Sequence, residues 1–256
     1  MGNYVAINGH PTWTERNGQG PPVLLLHGGF TNGDALLGVF AHLSDEYELI
    51  AFDRRGHGRT ADTEAPFHYS DMADEAIAVL DHVGGEAAHL VGYSDGGNVA
   101  MVVVLTRPDL VRSLVLIGAN YHFDGVVQGI FEDLGPDSEF TASLLPGYAE
   151  RSPDGAEHFP VVVAKGVHML THEPTLTTDD LGRISVPALV LVGDDDATLP
   201  THTLSLFESL PAGQLAVVPG ASHLAPYEKP DLVAQLVTDF LRTEGAVSTM
   251  MPIRRA

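Results

Sequence analysis

One serine stands in a sequence context that suits nucleophilic catalysis. Ser94 lies in Gly92-Tyr93-Ser94-Asp95-Gly96, a G-x-S-x-G pattern directly after a predicted strand and directly before a predicted helix. A serine on such a tight turn projects its hydroxyl from the end of the sheet, over a helix N-terminus that favours developing negative charge. The alternative is an ordinary glycine-rich turn, but the flanking strand and the buried helix favour a nucleophile.

A serine hydroxyl needs a base, and the base needs an acid that holds its tautomer. Of the 13 histidines, His223 is the candidate base because it follows the last predicted strand, at the same end of the sheet as Ser94. The candidate acid lies in Asp194-Asp195-Asp196, which follow the preceding predicted strand. The chemistry alone does not distinguish among these three carboxylates.

The positions of these side chains depend on the elements that precede them, which are short apolar runs that end at glycine or a polar residue. Such runs are typical of strands buried on both faces of a parallel sheet. Helical patterns alternate with them, which predicts an α/β fold with a mostly parallel central sheet of about eight strands and helices on both faces. The runs are 23–26, 49–52, 90–91, 114–117, 189–192 and 215–218, a hairpin is predicted from 4–7 and 12–14, and the helices from 71–83, 98–106 and 232–241.

Residues 120–182 interrupt this alternation, since they contain no convincing strand. Helical pieces are predicted there near 126–134, 139–150 and 157–172. We therefore expect a helical cap at 120–182, inserted after the sixth strand of an α/β core that comprises 1–119 and 183–245. Residues 246–256 have little pattern and are predicted to form a mobile tail.

Composition narrows the partners and cofactors. Acidic residues outnumber basic ones by 34 to 13, for a formal net charge of −21, so neither nucleic acid nor a membrane is expected as a partner. The chain contains no cysteine, which removes thiol nucleophiles, zinc–thiolate sites and disulfides and fits a cytoplasmic location. We expect no metal or organic cofactor and a small-molecule substrate. The sequence carries no signal of the oligomeric state.

Five motifs follow one another along the chain: Leu26-His27-Gly28-Gly29-Phe30, Asp53-Arg54-Arg55-Gly56-His57-Gly58, Gly92-Tyr93-Ser94-Asp95-Gly96-Gly97, Gly193-Asp194-Asp195-Asp196 and Gly220-Ala221-Ser222-His223. Together and in this order they resemble the α/β-hydrolase superfamily, and the resemblance runs from about residue 3 to about 243. It implies that the acid is Asp196, three residues after the glycine of its motif. It also implies an oxyanion hole made by the backbone N–H groups of Phe30 and Asp95. Dehalogenases and epoxide hydrolases of this superfamily carry an aspartate where Ser94 stands, which disfavours those activities.

An acid directly after the nucleophile departs from the commoner family pattern. Together with Gly118-Ala119-Asn120 further along the chain, this acid makes the sequence similar to the biphenyl-hydrolase-like branch, which includes valacyclovir hydrolase. In that branch the corresponding acid binds a substrate ammonium group, which implies α-amino-acid esters as substrates. The alternative is that Asp95 complements the N-terminus of its own helix. Both interpretations stay open at this point.

The motifs predict a carboxylic ester hydrolase that works through an acyl-enzyme on Ser94. A lactonase, a C–C bond hydrolase or an amidase would use the same triad, and a perhydrolase or cofactor-free oxygenase would use the same pocket. A non-catalytic small-molecule receptor on the same fold is a further alternative. Aromatic and histidine side chains of the cap more often pack within it than touch a ligand. Substrate contacts are predicted at Asp95, Gly29, Tyr121, His122 and His168.

Overall fold

The computed structural model describes residues 2–130, 134–135, 138–243 and 249–251. Most of the tail predicted at 246–256 lies outside these residues. The same holds for residues 131–133 of the first helical piece predicted in the cap. The strands, helices and contacts of the structure belong to these residues.

Eight strands form one sheet, which confirms the predicted fold class. Their spatial order is β1-β2-β4-β3-β5-β6-β7-β8, and the last six in that order are parallel to one another. The hairpin at the edge is antiparallel and turns at Asn8 and Gly9, both with positive φ. The strands are β1 (Asn3–Ile7), β2 (His10–Asn17), β3 (Pro22–Leu26), β4 (Glu48–Phe52), β5 (Ala88–Tyr93), β6 (Val111–Ile117), β7 (Ala188–Asp195) and β8 (Gly213–Ser222).

Helices cover both faces of the sheet, as predicted. They are α1 (Gly33–Phe40), α2 (Tyr69–Val83), α3 (Asp95–Thr106), α4 (Glu139–Arg151), α5 (Phe159–Leu170), α6 (Thr178–Leu181), α7 (Pro200–Ser209), α8 (Ala225–Glu228) and α9 (Pro230–Arg242). Leu24 belongs to a buried cluster with residues of α2 and α3, whereas its neighbour Leu25 belongs to a cluster with residues of α1 and α9. Successive strand residues thus bury opposite faces, which explains their continuous apolar runs.

The chain between β6 and β7, residues 118–187, carries α4, α5 and α6, and we call it the β6–β7 segment. One expectation for it was wrong. The helix predicted near 126–134 does not form over 126–130, where Val126 instead makes an antiparallel bridge to Thr198. That bridge satisfies backbone groups that a helix would otherwise pair locally.

Candidate active site

Ser94 occupies the sharp turn between β5 and α3. Its φ of 52° lies in the left-handed region, which costs a residue with a side chain about 1–3 kcal/mol. A hydrogen bond of 2.7 Å from the Ser94 N–H to the Ile117 carbonyl fixes the turn. A Cβ atom at Gly96 would lie 1.9 Å from the Leu26 carbonyl oxygen, so only glycine fits there.

The structure brings the three predicted triad residues together. The Ser94 Oγ lies 3.0 Å from Nε2 of His223, and Nδ1 of His223 lies 2.8 Å from Oδ1 of Asp196. Asp196 follows β7 and His223 follows β8, so the parallel sheet delivers both to the end of the sheet where Ser94 stands. With the proton on Nδ1, the imidazole donates to Asp196 and leaves Nε2 free to accept from the serine hydroxyl.

Asp196 is held as a carboxylate. Burial alone raises its pKa, but hydrogen bonds from His223 and from the backbone amides of Thr198 and Gly193 outweigh burial and lower the pKa below its ordinary value. Its neighbour Asp194 turns instead to the backbone amide of Gly220, at 2.8 Å. The hydrogen bonds therefore single out the acid that the sequence chemistry left ambiguous.

Two backbone amides, those of Phe30 and Asp95, were predicted to form the oxyanion hole. Asp95 is the first residue of α3, and the Ser94 carbonyl accepts from Gly97 and Asn98, so the Asp95 N–H precedes the hydrogen-bonded ladder of the helix. Phe30 lies in the loop after β3 and has a φ of 57°, again in the left-handed region. Amides at a helix N-terminus and in a strained loop are suited to holding developing negative charge.

The Asp95 side chain points into the protein and is 4% exposed. Its Oδ1 accepts a hydrogen bond of 2.8 Å from the Tyr69 hydroxyl, which in turn accepts one of 3.1 Å from Asn98. Gly29 lies against the other oxygen, since a Cβ atom there would be 2.6 Å from Oδ2. The guanidinium of Arg54 is fully buried, and burial lowers the pKa of Arg54. The negative charge of Asp95 favours the charged guanidinium and so opposes this lowering.

A scan of the sequence against family models matches residues 23–236 to the alpha/beta hydrolase family. The chain belongs to that family. It is 27% identical over 248 residues to a protein of Azorhizobium caulinodans named "Putative carbamate hydrolase RutD", covering 88% of this chain and 93% of that one.

Solved structures of other hydrolases have the same fold as this chain. The meta-cleavage product hydrolase CumD has a TM-score of 0.81 with 25% identity, covering 94% of this chain and 98% of that one. A thermophilic esterase from Thermogutta terrifontis has a TM-score of 0.78 with 25% identity, covering 96% and 100%. The relatives of this α/β hydrolase thus share its overall structure along nearly the whole chain while differing in the reaction that their names describe.

Two residues predicted to touch substrate have other partners in this α/β hydrolase. The Tyr121 ring stacks on His202 of α7 with centroids 4.0 Å apart, and its backbone N–H donates to Nε2 of the same imidazole. Burial lowers the pKa of His202 to about 4, which keeps Nε2 an acceptor. His122 caps a short turn, with Nδ1 2.5 Å from the carboxylate of Asp124. Both predicted contacts stay predictions.

His168, the third such residue in the β6–β7 segment, lies on the exposed side of α5. Its ring packs on that of His172, with centroids 4.5 Å apart. The opposite side of α5 is the buried one, and it carries Gly166 rather than a polar group. The hydrophobic spacing along 159–169 fixes this orientation, because buried residues recur every three or four positions.

Polar side chains that the sequence did not predict as a group pack behind the nucleophile. Tyr69, Asn98 and Asn120 form a buried chain of hydrogen bonds that ends on Asp95. The signals in the sequence were the polar residue Asn98, within a helix that is otherwise apolar nearly all round, and Asn120 in the Gly118-Ala119-Asn120 motif. Within the described ranges no group of three or more His, Asp or Glu side chains is arranged to hold a metal ion, and no helix has the length and apolar character needed to cross a bilayer.

Proposed function

We propose that this α/β hydrolase cleaves carboxylic esters through an acyl-enzyme on Ser94. The observation that carries the proposal is the continuous relay of hydrogen-bond distances from Ser94 through His223 to Asp196. Such a relay turns a weakly nucleophilic hydroxyl into an effective one, because the base is already in place to take its proton. The esterase among its structural relatives supports the same reaction class.

In the proposed mechanism the Ser94 oxygen attacks the ester carbonyl while Nε2 of His223 takes the hydroxyl proton. Asp196 retains the Nδ1 proton of the imidazole in a hydrogen bond and stabilises the imidazolium that forms. The amides of Phe30 and Asp95 bind the oxyanion of the tetrahedral intermediate. His223 then protonates the leaving alcohol, and the acyl group remains on Ser94. A water that gives its proton to His223 attacks the acyl carbonyl, releases the acid and restores the serine.

The environment of Asp95 supports neutral acyl groups over α-amino-acyl groups. Its carboxylate is almost fully buried, and one oxygen is already engaged by Tyr69. The buried cation of Arg54 interacts electrostatically with Asp95 and supplies a counter-charge from within the chain. A substrate ammonium group would have to displace these interactions, at the cost of leaving buried polar groups without partners.

The test is steady-state hydrolysis of p-nitrophenyl butyrate and of its α-amino counterpart, with Ser94→Ala as the control. We expect turnover of the butyrate by the parent, none above background by the variant, and no preference for the amino ester. Covalent labelling of the parent by a fluorophosphonate, lost in Ser94→Ala, reports the nucleophile independently of the substrate. If folded parent is labelled but cleaves neither ester, the esterase proposal fails. Lactones, amides and C–C substrates would then be assayed with the same pair of proteins, and labelling without turnover of any of them would indicate a receptor.

A further inference from the structure

Phe30 has a side chain whose surroundings extend well beyond the loop that carries it. Its ring stacks on the imidazole of His57 with centroids 6.4 Å apart, and His57 in turn lies 5.6 Å from the ring of Phe67. On its other side the Phe30 ring contacts Gly166 of α5. A residue held at a φ of 57° keeps that conformation only if its surroundings enforce it.

Gly166 permits this contact because it has no side chain. A Cβ atom there would lie 2.5 Å from Cε1 and 2.6 Å from Cζ of Phe30, both far inside van der Waals distance. Gly166 belongs to the buried face of α5, together with Val163 and Met169. Glycine in the middle of a helix costs about 0.5–1 kcal/mol relative to alanine, so a close approach is a physical reason for its presence.

α5 is fixed to the core beside this contact by ionic hydrogen bonds to one carboxylate. Asp62, in the loop between β4 and α2, has a side chain that is 2% exposed. Its Oδ2 accepts from Nζ of Lys165 at 2.6 Å and from Nε2 of His158 at 2.9 Å. Lys165 is the neighbour of Gly166 in the chain, and its ammonium also lies 5.4 Å from the centre of the Phe67 ring.

We propose that α5 positions the backbone amide of Phe30 for oxyanion binding, with Gly166 as the positioning residue. This inference rests on the proposed function of that amide. The β6–β7 segment then sets the rate of the chemical step by packing on the ring of Phe30. A displacement of the ring moves the amide, and a donor displaced by about 1 Å loses much of its stabilisation of the transition state.

The first test is Gly166→Ala, with Gly147→Ala in α4 as the matched control, because a Cβ atom at Gly147 meets nothing within 4 Å. We expect kcat for p-nitrophenyl butyrate to fall between about tenfold and a hundredfold in Gly166→Ala, with KM little changed. Gly147→Ala should match the parent in both. A folded Gly166→Ala protein with the parent's kcat would overturn the proposal.

The second test asks whether a smaller side chain at residue 30 rescues the kcat of Gly166→Ala. Phe30→Leu keeps the backbone amide and removes the ring atoms that an alanine at 166 would strike. In the Phe30→Leu background, Gly166→Ala should therefore lower kcat much less than it does in the parent. An equal loss in both backgrounds would show that α5 does not act through Phe30, and the proposal would fail.

A third measurement keeps this inference separate from the esterase proposal. The rate of fluorophosphonate labelling of Ser94 depends on the same oxyanion donors, because the phosphoryl oxygen occupies their site, and it needs no ester turnover. If the parent cleaves no ester, the labelling rates of the same variants still test the positioning. If Gly166→Ala does not fold, Lys165→Gln replaces it: we expect slower labelling of a variant that is still folded at the assay temperature, and parent-like labelling would refute the proposal.

Discussion

Gly118 packs its α-carbon against the imidazole of His223. A methyl group at this position would lie 2.9 Å from Cε1 and 3.0 Å from Nδ1 of the ring, and the backbone has a φ of +60°. We expect Gly118→Ala to lower kcat for p-nitrophenyl butyrate by about tenfold to a hundredfold, because the ring must move away from Ser94. Gly9→Ala is the control, since Gly9 also has a positive φ but no neighbour within 4 Å. Equal kcat values for the two folded variants would contradict the prediction.

Asp196→Asn tests whether the carboxylate sets the tautomer of His223. An amide in its place can donate to Nδ1, which shifts the ring proton to Nε2 and blocks acceptance of the serine proton. We expect kcat to fall by about 10,000-fold while KM changes little. Asp195→Asn, one residue away on an exposed side chain, should retain the parent's kcat in the same assay. A loss in both variants would point to the loop rather than to the carboxylate.

The strands and the positions of Ser94 and His223 at one end of the sheet could be predicted because their signals are local. Apolar runs that end at glycine mark buried strands, and the order of the motifs places their last residues at one end of the sheet. α1 and α7 were not predicted, since each is short and mixes apolar with small polar residues. Tertiary packing, the Asn32 cap of α1 and the proline that opens α7 stabilise them instead.

The chemistry of the residues did not decide among the adjacent acids, for which only the family resemblance implied Asp196, and the environment of the nucleophile could not be predicted from the sequence. Asp194 accepts from the backbone amide of Gly220, whereas Asp196 is hydrogen-bonded to the imidazole of His223, and both of these partners lie far from the acids in the chain. Likewise, the contact of Gly166 with Phe30 joins residues far apart in the chain, so no local pattern signals it. The sequence could indicate a helix with a buried glycine but not the ring that needs the space.

Tyr69→Phe separates the buried interaction of Asp95 from any role in substrate choice. The tyrosine hydroxyl donates to Oδ1 of Asp95, and a hydrogen bond to a charged group contributes about 1.5–3 kcal/mol. We expect the variant to lose that much free energy of unfolding in urea, while the ratio of kcat/KM for the butyryl and α-aminobutyryl esters stays at the parent's value. Tyr4→Phe, an exposed tyrosine that donates to a backbone carbonyl, is the control for stability. A rise in the relative rate of the amino ester would mean that the tyrosine competes with a substrate ammonium for Asp95.

Asp62 makes the attachment of the β6–β7 segment depend on pH. Burial alone raises the pKa of its carboxyl, but the hydrogen bonds from Lys165 and His158 outweigh burial and hold the pKa below the ordinary value of 3.8. A carboxyl with a depressed pKa in the folded state stabilises the fold above its unfolded pKa, and this stabilisation is lost as the pH falls through the folded value. We therefore expect Asp62→Asn to lower the free energy of unfolding by about 1–3 kcal/mol at pH 7 and by progressively less below about pH 4.

The measurement is urea unfolding of the parent and of Asp62→Asn from pH 7 down to pH 3. Asp109→Asn is the control, because Asp109 pairs with Arg107 on the open surface, where ion pairs contribute little. Its stability should follow that of the parent at every pH. If the gap between the parent and Asp62→Asn is as wide at pH 3 as at pH 7, the charge of the carboxylate is not its source. The hydrogen bonds of Asp62 would then fix α5 to the core through their geometry alone.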